Sequence, residues 1–175
     1  LPHRLDEGYG LSQGSVENCL AQLPTTLLLA VDCGSTAVAP IASLRQRGVD
    51  VIVLDHHQVS SPAPPATALV NPRLAASGSS GNAASSSVPF GNLFIGLAFK
   101  LAHALLKRAR ETGIPGAADF DLRPLLDLVA LGTIADMVPL TGESRILASV
   151  GLERLNTTQR PGLAALKQIA QSPAL

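Results

Sequence analysis

The stretch VIVLDHHQVS, residues 51 to 60, sets Asp55, His56 and His57 side by side at the end of an apolar, β-branched run. The chain holds only four histidines, and two of them stand where a buried strand would meet a loop. Carboxylate beside neutral imidazole suits a borderline divalent ion such as Mn²⁺, whereas a magnesium site is more often all oxygen. A histidine at a strand end is also commonly a hydrogen-bonded loop residue, so on the tripeptide alone the metal and the structural readings both stay open.

Two further aspartates share this setting. Asp32 ends the earlier run TTLLLAVDCG, and in open α/β sheets ligands bind outside the carboxyl ends of the strands. Asp136, in GTIADMVPL, follows helical turns that are almost wholly apolar. A charge there is costly unless paired or bound to a cation, and near a helix C-terminus it opposes the helix dipole. Its plain reading is a solvated helix end; a metal would remove the penalty.

These residues need a scaffold that brings strand ends together. Ser12 can cap a helix through SQGSVENCLAQL, and TTLLLAVDCG then reads as a buried parallel strand. TAVAPIASLRQRG follows as a helix with Pro40 in its first turn and Gly48 past its end, and VDVIVLD is a second buried strand. Strand, helix and strand with short links predict a right-handed βαβ unit in a parallel sheet with helices on both faces. ATALVNP is a candidate third strand. Residues 73–90 are rich in Ser, Gly and Ala and read as a flexible loop. Residues 91–175 read as mainly helical: one amphipathic helix with Leu93, Leu97, Leu101 and Leu105 on a face, an apolar helix through LRPLLDLVALGTIADMVPL broken near Pro139, and two more near 143–155 and 161–171.

With 175 residues, 46% hydrophobic and 15% charged, the chain can bury one proper core. Its formal net charge of zero supplies no global field toward nucleic acid or membrane, so any such attraction must be local. Two cysteines without a Cys-x-x-Cys spacing suit a reducing compartment, and no run approaches the ~20 apolar residues of a membrane span. The expectation is a cytoplasmic protein. Leu1 in place of Met, and an opening without periodicity, read as the middle of something longer.

Taken together, LAVDCG, VIVLDHH, VNP, GLAFKLAHAL and LVALGTIADMVPL resemble the DHH phosphoesterase superfamily, and within it the RecJ-type single-strand-specific exonucleases. LPHRLDEGYGLS near the start and RPGLAALKQIA near the end resemble the same exonucleases, so the likeness covers nearly the whole chain. It implies a two-metal phosphoesterase using Mn²⁺ or Mg²⁺, in which paired cations clamp the attacking and leaving oxygens of an in-line displacement. Carried over by position, Asp32 would bridge the metals, His56 and Asp136 would bind one of them, and His57 would face the scissile phosphate. Asp55 would orient the histidines rather than bind metal. The implied activity is release of nucleotides from the 5′ end of single-stranded DNA, in repair and recombination.

The departures count as well. The family's first motif of closely spaced aspartates is not found in this sequence, nor is its second, substrate-binding domain; these 175 residues by themselves are therefore expected to show little or no nuclease activity. Two alternatives remain: a phosphoesterase on small substrates such as oligoribonucleotides, cyclic dinucleotides, phosphoadenosine phosphate or pyrophosphate, and a non-catalytic scaffold module. Arg4, Asn71 and Arg73 are candidate substrate contacts, each weighed against an ordinary surface or turn role. Tyr9, the only tyrosine, makes a poor stacking platform by itself. His103 reads as a helix-packing residue, Lys107, Arg108 and Arg110 as a basic helix end, and Asp121 as the N-cap of the helix after it. Cys33 reads as a small buried residue, not a nucleophile.

Overall fold

The structure is a computed structural model that describes residues 4–77 and 94–170. It separates into two units, Leu1–Gly91 and Asn92–Leu175.

The first unit runs α1 (Arg4–Glu7), α2 (Gln13–Gln22), β1 (Leu27–Val31), α3 (Val38–Gln46), β2 (Asp50–Leu54), β3 (Ala68–Val70) and α4 (Pro72–Ser77). Ser12 caps α2 as its sequence position demands: its hydroxyl accepts from Ser15 N–H, and the Ser15 hydroxyl accepts from Ser12 N–H, both at 3.1 Å. Helix α3 stops where Gly48 takes a left-handed φ of 77°, just past the cap residue Arg47. The three strands are parallel in the order β1-β2-β3, with Leu29 opposite Ile52 and Ile52 opposite Ala68.

Strand alternation decides what these runs bury. Ala30 of β1 and Val51 and Val53 of β2 pack with Val16 of α2 and Ile41 and Leu44 of α3 into one cluster, every member at most 4% exposed. Each of the valine, leucine and isoleucine side chains contributes roughly 1.5–3 kcal/mol when fully buried. The alternate residues Leu27, Leu29 and Val31 remain 39–54% exposed, as does Val70 of β3 at 46%. β1 is thus apolar on both sides although α2 and α3 cover only one of them.

In the second unit α5 (Phe94–Glu111) leads through a 3-10 turn at Arg123–Leu125 into α6 (Leu126–Ala135), followed by α7 (Gly142–Asn156) and α8 (Pro161–Ile169). Asp121 does not cap α6 as expected. Its carboxylate accepts from the Arg123 backbone N–H at 3.0 Å and from Arg123 Nε at 2.9 Å, starting the 3-10 turn instead. Arg110 donates to the carbonyls of Ala117 and Phe120, so part of the basic end of α5 secures the loop that follows it. His103 is exposed on α5 rather than packed.

Helix α6 ends at Ala135, earlier than the expected break at Pro139. Met137 takes a left-handed φ of 51° there; its N–H donates to Ile134 O at 3.0 Å and Val138 N–H donates to Thr133 O at 3.1 Å. That bond pair is a Schellman termination, which usually places glycine where Met137 stands.

Two further contacts hold this unit. Buried Asp127 accepts from Thr158 Oγ1 at 2.8 Å and from Arg160 Nε at 3.0 Å, tying the start of α6 to the α7–α8 loop. Burial alone would raise its pKa, but the bonds from Thr158, Leu128 and Arg160 bring it below the usual carboxylate value. Gly151 of α7 lies against α6 so closely that a Cβ would stand 2.2 Å from Leu126 O and 2.5 Å from Ala130 Cβ. No described helix is long and apolar enough to cross a membrane. The loop expected over 73–90 begins as α4, and its remainder from 78 on lies outside the described residues.

Gly151→Ala is therefore expected to destabilise the second unit by about 1–3 kcal/mol. Gly162→Ala, which meets nothing within 4 Å, should be neutral or slightly stabilising. Urea denaturation of the two variants checks the contrast.

Candidate metal centre

The parallel register sets the site. Asp32 N–H donates to Leu54 O at 3.0 Å and Asp55 N–H to Val70 O at 3.1 Å, so the ladder continues past the ends of β1 and β2 and lays Asp32 beside the start of Asp55-His56-His57. Asp32 then takes a left-handed φ of 64°, rare for a residue with a side chain and more tolerable for aspartate than for most. Gly34 follows at φ 108°, where a Cβ would press on both Val53 methyls at 3.2 Å. Only glycine lets this turn lie so close over β2.

Four side chains meet at these ends. Asp32, Asp55, His56 and His57 each offer a ligand atom, all within 4.8 Å of one another. Asp32 Oδ1 and His56 Nε2 are 3.3 Å apart. Two donors on one ion, with bonds of about 2.1 Å, stand roughly 3.0–3.4 Å apart, so this pair fits a shared divalent cation.

Asp55 has a different environment. It is 1% exposed, and Oδ1 accepts from His56 N–H at 2.7 Å, His57 N–H at 3.2 Å and His57 Nδ1 at 2.7 Å, while Oδ2 accepts from Ser35 N–H at 3.1 Å. Burial by itself would raise this carboxyl, but hydrogen bonds from Ser35 and His57 outweigh it and hold the pKa at about 2. An ionised carboxylate can only accept, so His57 Nδ1 carries the proton and Nε2 is the nitrogen turned to the surroundings. The His57 side chain is 50% exposed. Cys33, next to Asp32, has its thiol pushed up by burial and by the Asp55 and Asp32 charges, which leaves it protonated and a poor nucleophile.

The remaining candidates are distributed as follows. Asn71 is 6% exposed; its Nδ2 donates to Ser35 Oγ and to His57 O, both at 2.9 Å, and its Oδ1 accepts from Arg73 N–H at 2.9 Å. Arg73 Nε donates to His56 O at 2.8 Å. Asp136 belongs to the second unit, where it is the exposed cap residue of α6 beside the left-handed Met137. Arg4 opens α1, and its side chain lies outside the described residues. Tyr9 is 70% exposed. Sequence reasoning did not single out Ser35; its only signal was a small polar residue directly after the glycine of a strand-end turn.

The DHH family, N-terminal domain, matches residues 2–133, which include the whole four-residue cluster. The chain belongs to the DHH family. It is 39% identical over 178 residues to the single-stranded-DNA-specific exonuclease RecJ of Dickeya dadantii, covering 99% of this chain and 29% of that protein. To the protein of the same name from Bacillus subtilis it is 36% identical, covering 97% of this chain and 19% of the other. A crystal structure of exonuclease RecJ bound to manganese superposes with a TM-score of 0.73 at 35% identity, over 99% of this chain and 40% of that one. RecJ of Thermus thermophilus in complex with Mn²⁺ gives a TM-score of 0.70 at 31% identity, over 93% of this chain and 22% of that one. This DHH chain therefore spans less than a third of the length of these two curated relatives.

The depressed Asp55 carboxyl has a stability consequence of fixed sign. A folded pKa of about 2 lies below the unfolded value of about 3.9, so the group contributes on the order of 2 kcal/mol above about pH 4, lost as pH falls through 2. Asp55→Asn should be less stable than wild type by about that amount at pH 7, with the gap closing between pH 4 and 2. Denaturation midpoints across that range measure it.

Proposed function

We propose that this chain is the phosphoesterase part of a RecJ-type exonuclease that hydrolyses single-stranded DNA from its 5′ end with Mn²⁺, in DNA repair and recombination. The reading rests on one observation above all: Asp32 and the DHH turn, from different strands, present ligand atoms within 4.8 Å of one another. The likeness to RecJ proteins over nearly the whole chain supports the substrate class.

In this reading Asp32 and His56, brought together at the strand ends of the first unit, would hold the cation. A divalent cation held there would supply charge neutralisation on the phosphodiester oxygens. The protein's own groups do the rest. Asp55 fixes the tautomer and orientation of His57, so that its Nε2 faces the scissile phosphate. A proton on Nε2 would let the ring donate a hydrogen bond to a phosphate oxygen.

Titration calorimetry with Mn²⁺ tests the metal assignment. Wild type is expected to bind, and His56→Ala to lose at least tenfold in affinity; absence of binding by wild type overturns it. Hydrolysis is read in the full natural protein on 5′-labelled single strands of graded length against dinucleotides. His57→Ala should keep Mn²⁺ affinity and lose about 10²-fold in rate. Exclusive hydrolysis of dinucleotides moves the assignment to small substrates.

A further inference from the structure

We infer that Asn71 and Arg73 are positioning residues that clamp the peptide carbonyls of the two histidines, rather than contacts for substrate; this rests on the metal assignment above. The segment after β3 reaches back to both. Asn71 Nδ2 donates to His57 O and Arg73 Nε to His56 O, at 2.9 and 2.8 Å. The histidine peptides thus receive bonds on each face: their N–H groups end on Asp55, and their carbonyls are held from the 71–73 segment.

The clamp is anchored as well as applied. The second amide hydrogen of Asn71 reaches Ser35 Oγ, and Ser35 N–H reaches Asp55 Oδ2, so one buried amide links the turn after β1 to the turn after β2. Asn71 Oδ1 accepts from Arg73 N–H, which fixes the start of α4 and so the base of the arginine side chain. Every polar atom of the Asn71 side chain is thereby committed inside the protein, and at 6% exposure it offers nothing to a nucleotide. A ring whose peptide is held on both faces keeps its nitrogens where a ligand needs them, and partners of this kind are worth 10- to 100-fold in metal affinity.

Asn71→Asp isolates the donors. It keeps shape and the Oδ1 acceptor but removes both N–H bonds, and its added negative charge would by Coulomb's law raise cation affinity. The clamp predicts the opposite sign: a tenfold or greater loss of Mn²⁺ affinity, measured well below the thermal midpoint. Arg73→Gln is expected to lose several-fold. Without metal, amide hydrogen exchange at His56 and His57 should quicken about tenfold in Asn71→Asp, and this readout decides the clamp even if wild type binds no Mn²⁺, a result that would sink only the metal assignment. Should Asn71→Asp fail to fold, Ser35→Ala and Arg73→Gln carry the same measurements. Unchanged exchange and unchanged Mn²⁺ affinity in the folded variants overturn the proposal. So does an Arg73→Gln protein that keeps both but binds a short single strand with a salt slope smaller by about 0.7, the signature of a lost phosphate contact.

Discussion

The site depends on one carboxylate that cannot move. Asp55 sits at the end of β2, almost wholly out of water, and accepts hydrogen bonds from three backbone N–H groups and one imidazole. A buried charge of this kind is tolerated only when its lone pairs are filled, and filling them requires two separate turns to arrive in the right place. The parallel ladder brings them there: the same register that pairs Val31 with Leu54 delivers Asp32 and Ser35 on one side and the histidines on the other. Sheet geometry and site geometry are in this sense one constraint.

Strain accompanies that arrangement. Among the described residues, the two non-glycine positions with left-handed φ are Asp32 and Met137, the latter directly after Asp136. Such conformations cost on the order of 1–3 kcal/mol and persist where the surroundings over-determine them. Around Asp32 the surroundings are plain: the strand bond to Leu54 before it and the glycine-dependent turn over Val53 after it.

The βαβ core and the aspartate-histidine strand end were legible because both are local in sequence: apolar runs, a proline in a first turn, a glycine past a helix, polar residues at run ends. What stayed hidden is carried by distant partners. Asn71 and Ser35 are 36 positions apart, and nothing in VNP or CGST announces their hydrogen bond. Nothing near Asp127 in the sequence announces that Thr158 and Arg160, more than 30 residues on, bind its carboxylate and tie α6 to the α7–α8 loop. The end of α6 lies ahead of Pro139; proline is a visible stop in the sequence, and a methionine in a glycine conformation is not. Asp121 does receive a backbone N–H, as a cap would, but that N–H opens a 3-10 turn ahead of the helix.

The uncovered side of β1 carries its own consequence. Leu27, Leu29 and Val31 form an apolar row on a strand that, among the described residues, has a neighbouring strand on one side only. Unpaired backbone groups beside greasy side chains are a template for joining like to like. Leu29→Lys would place a charge in the middle of that row without touching the turn that holds Asp32.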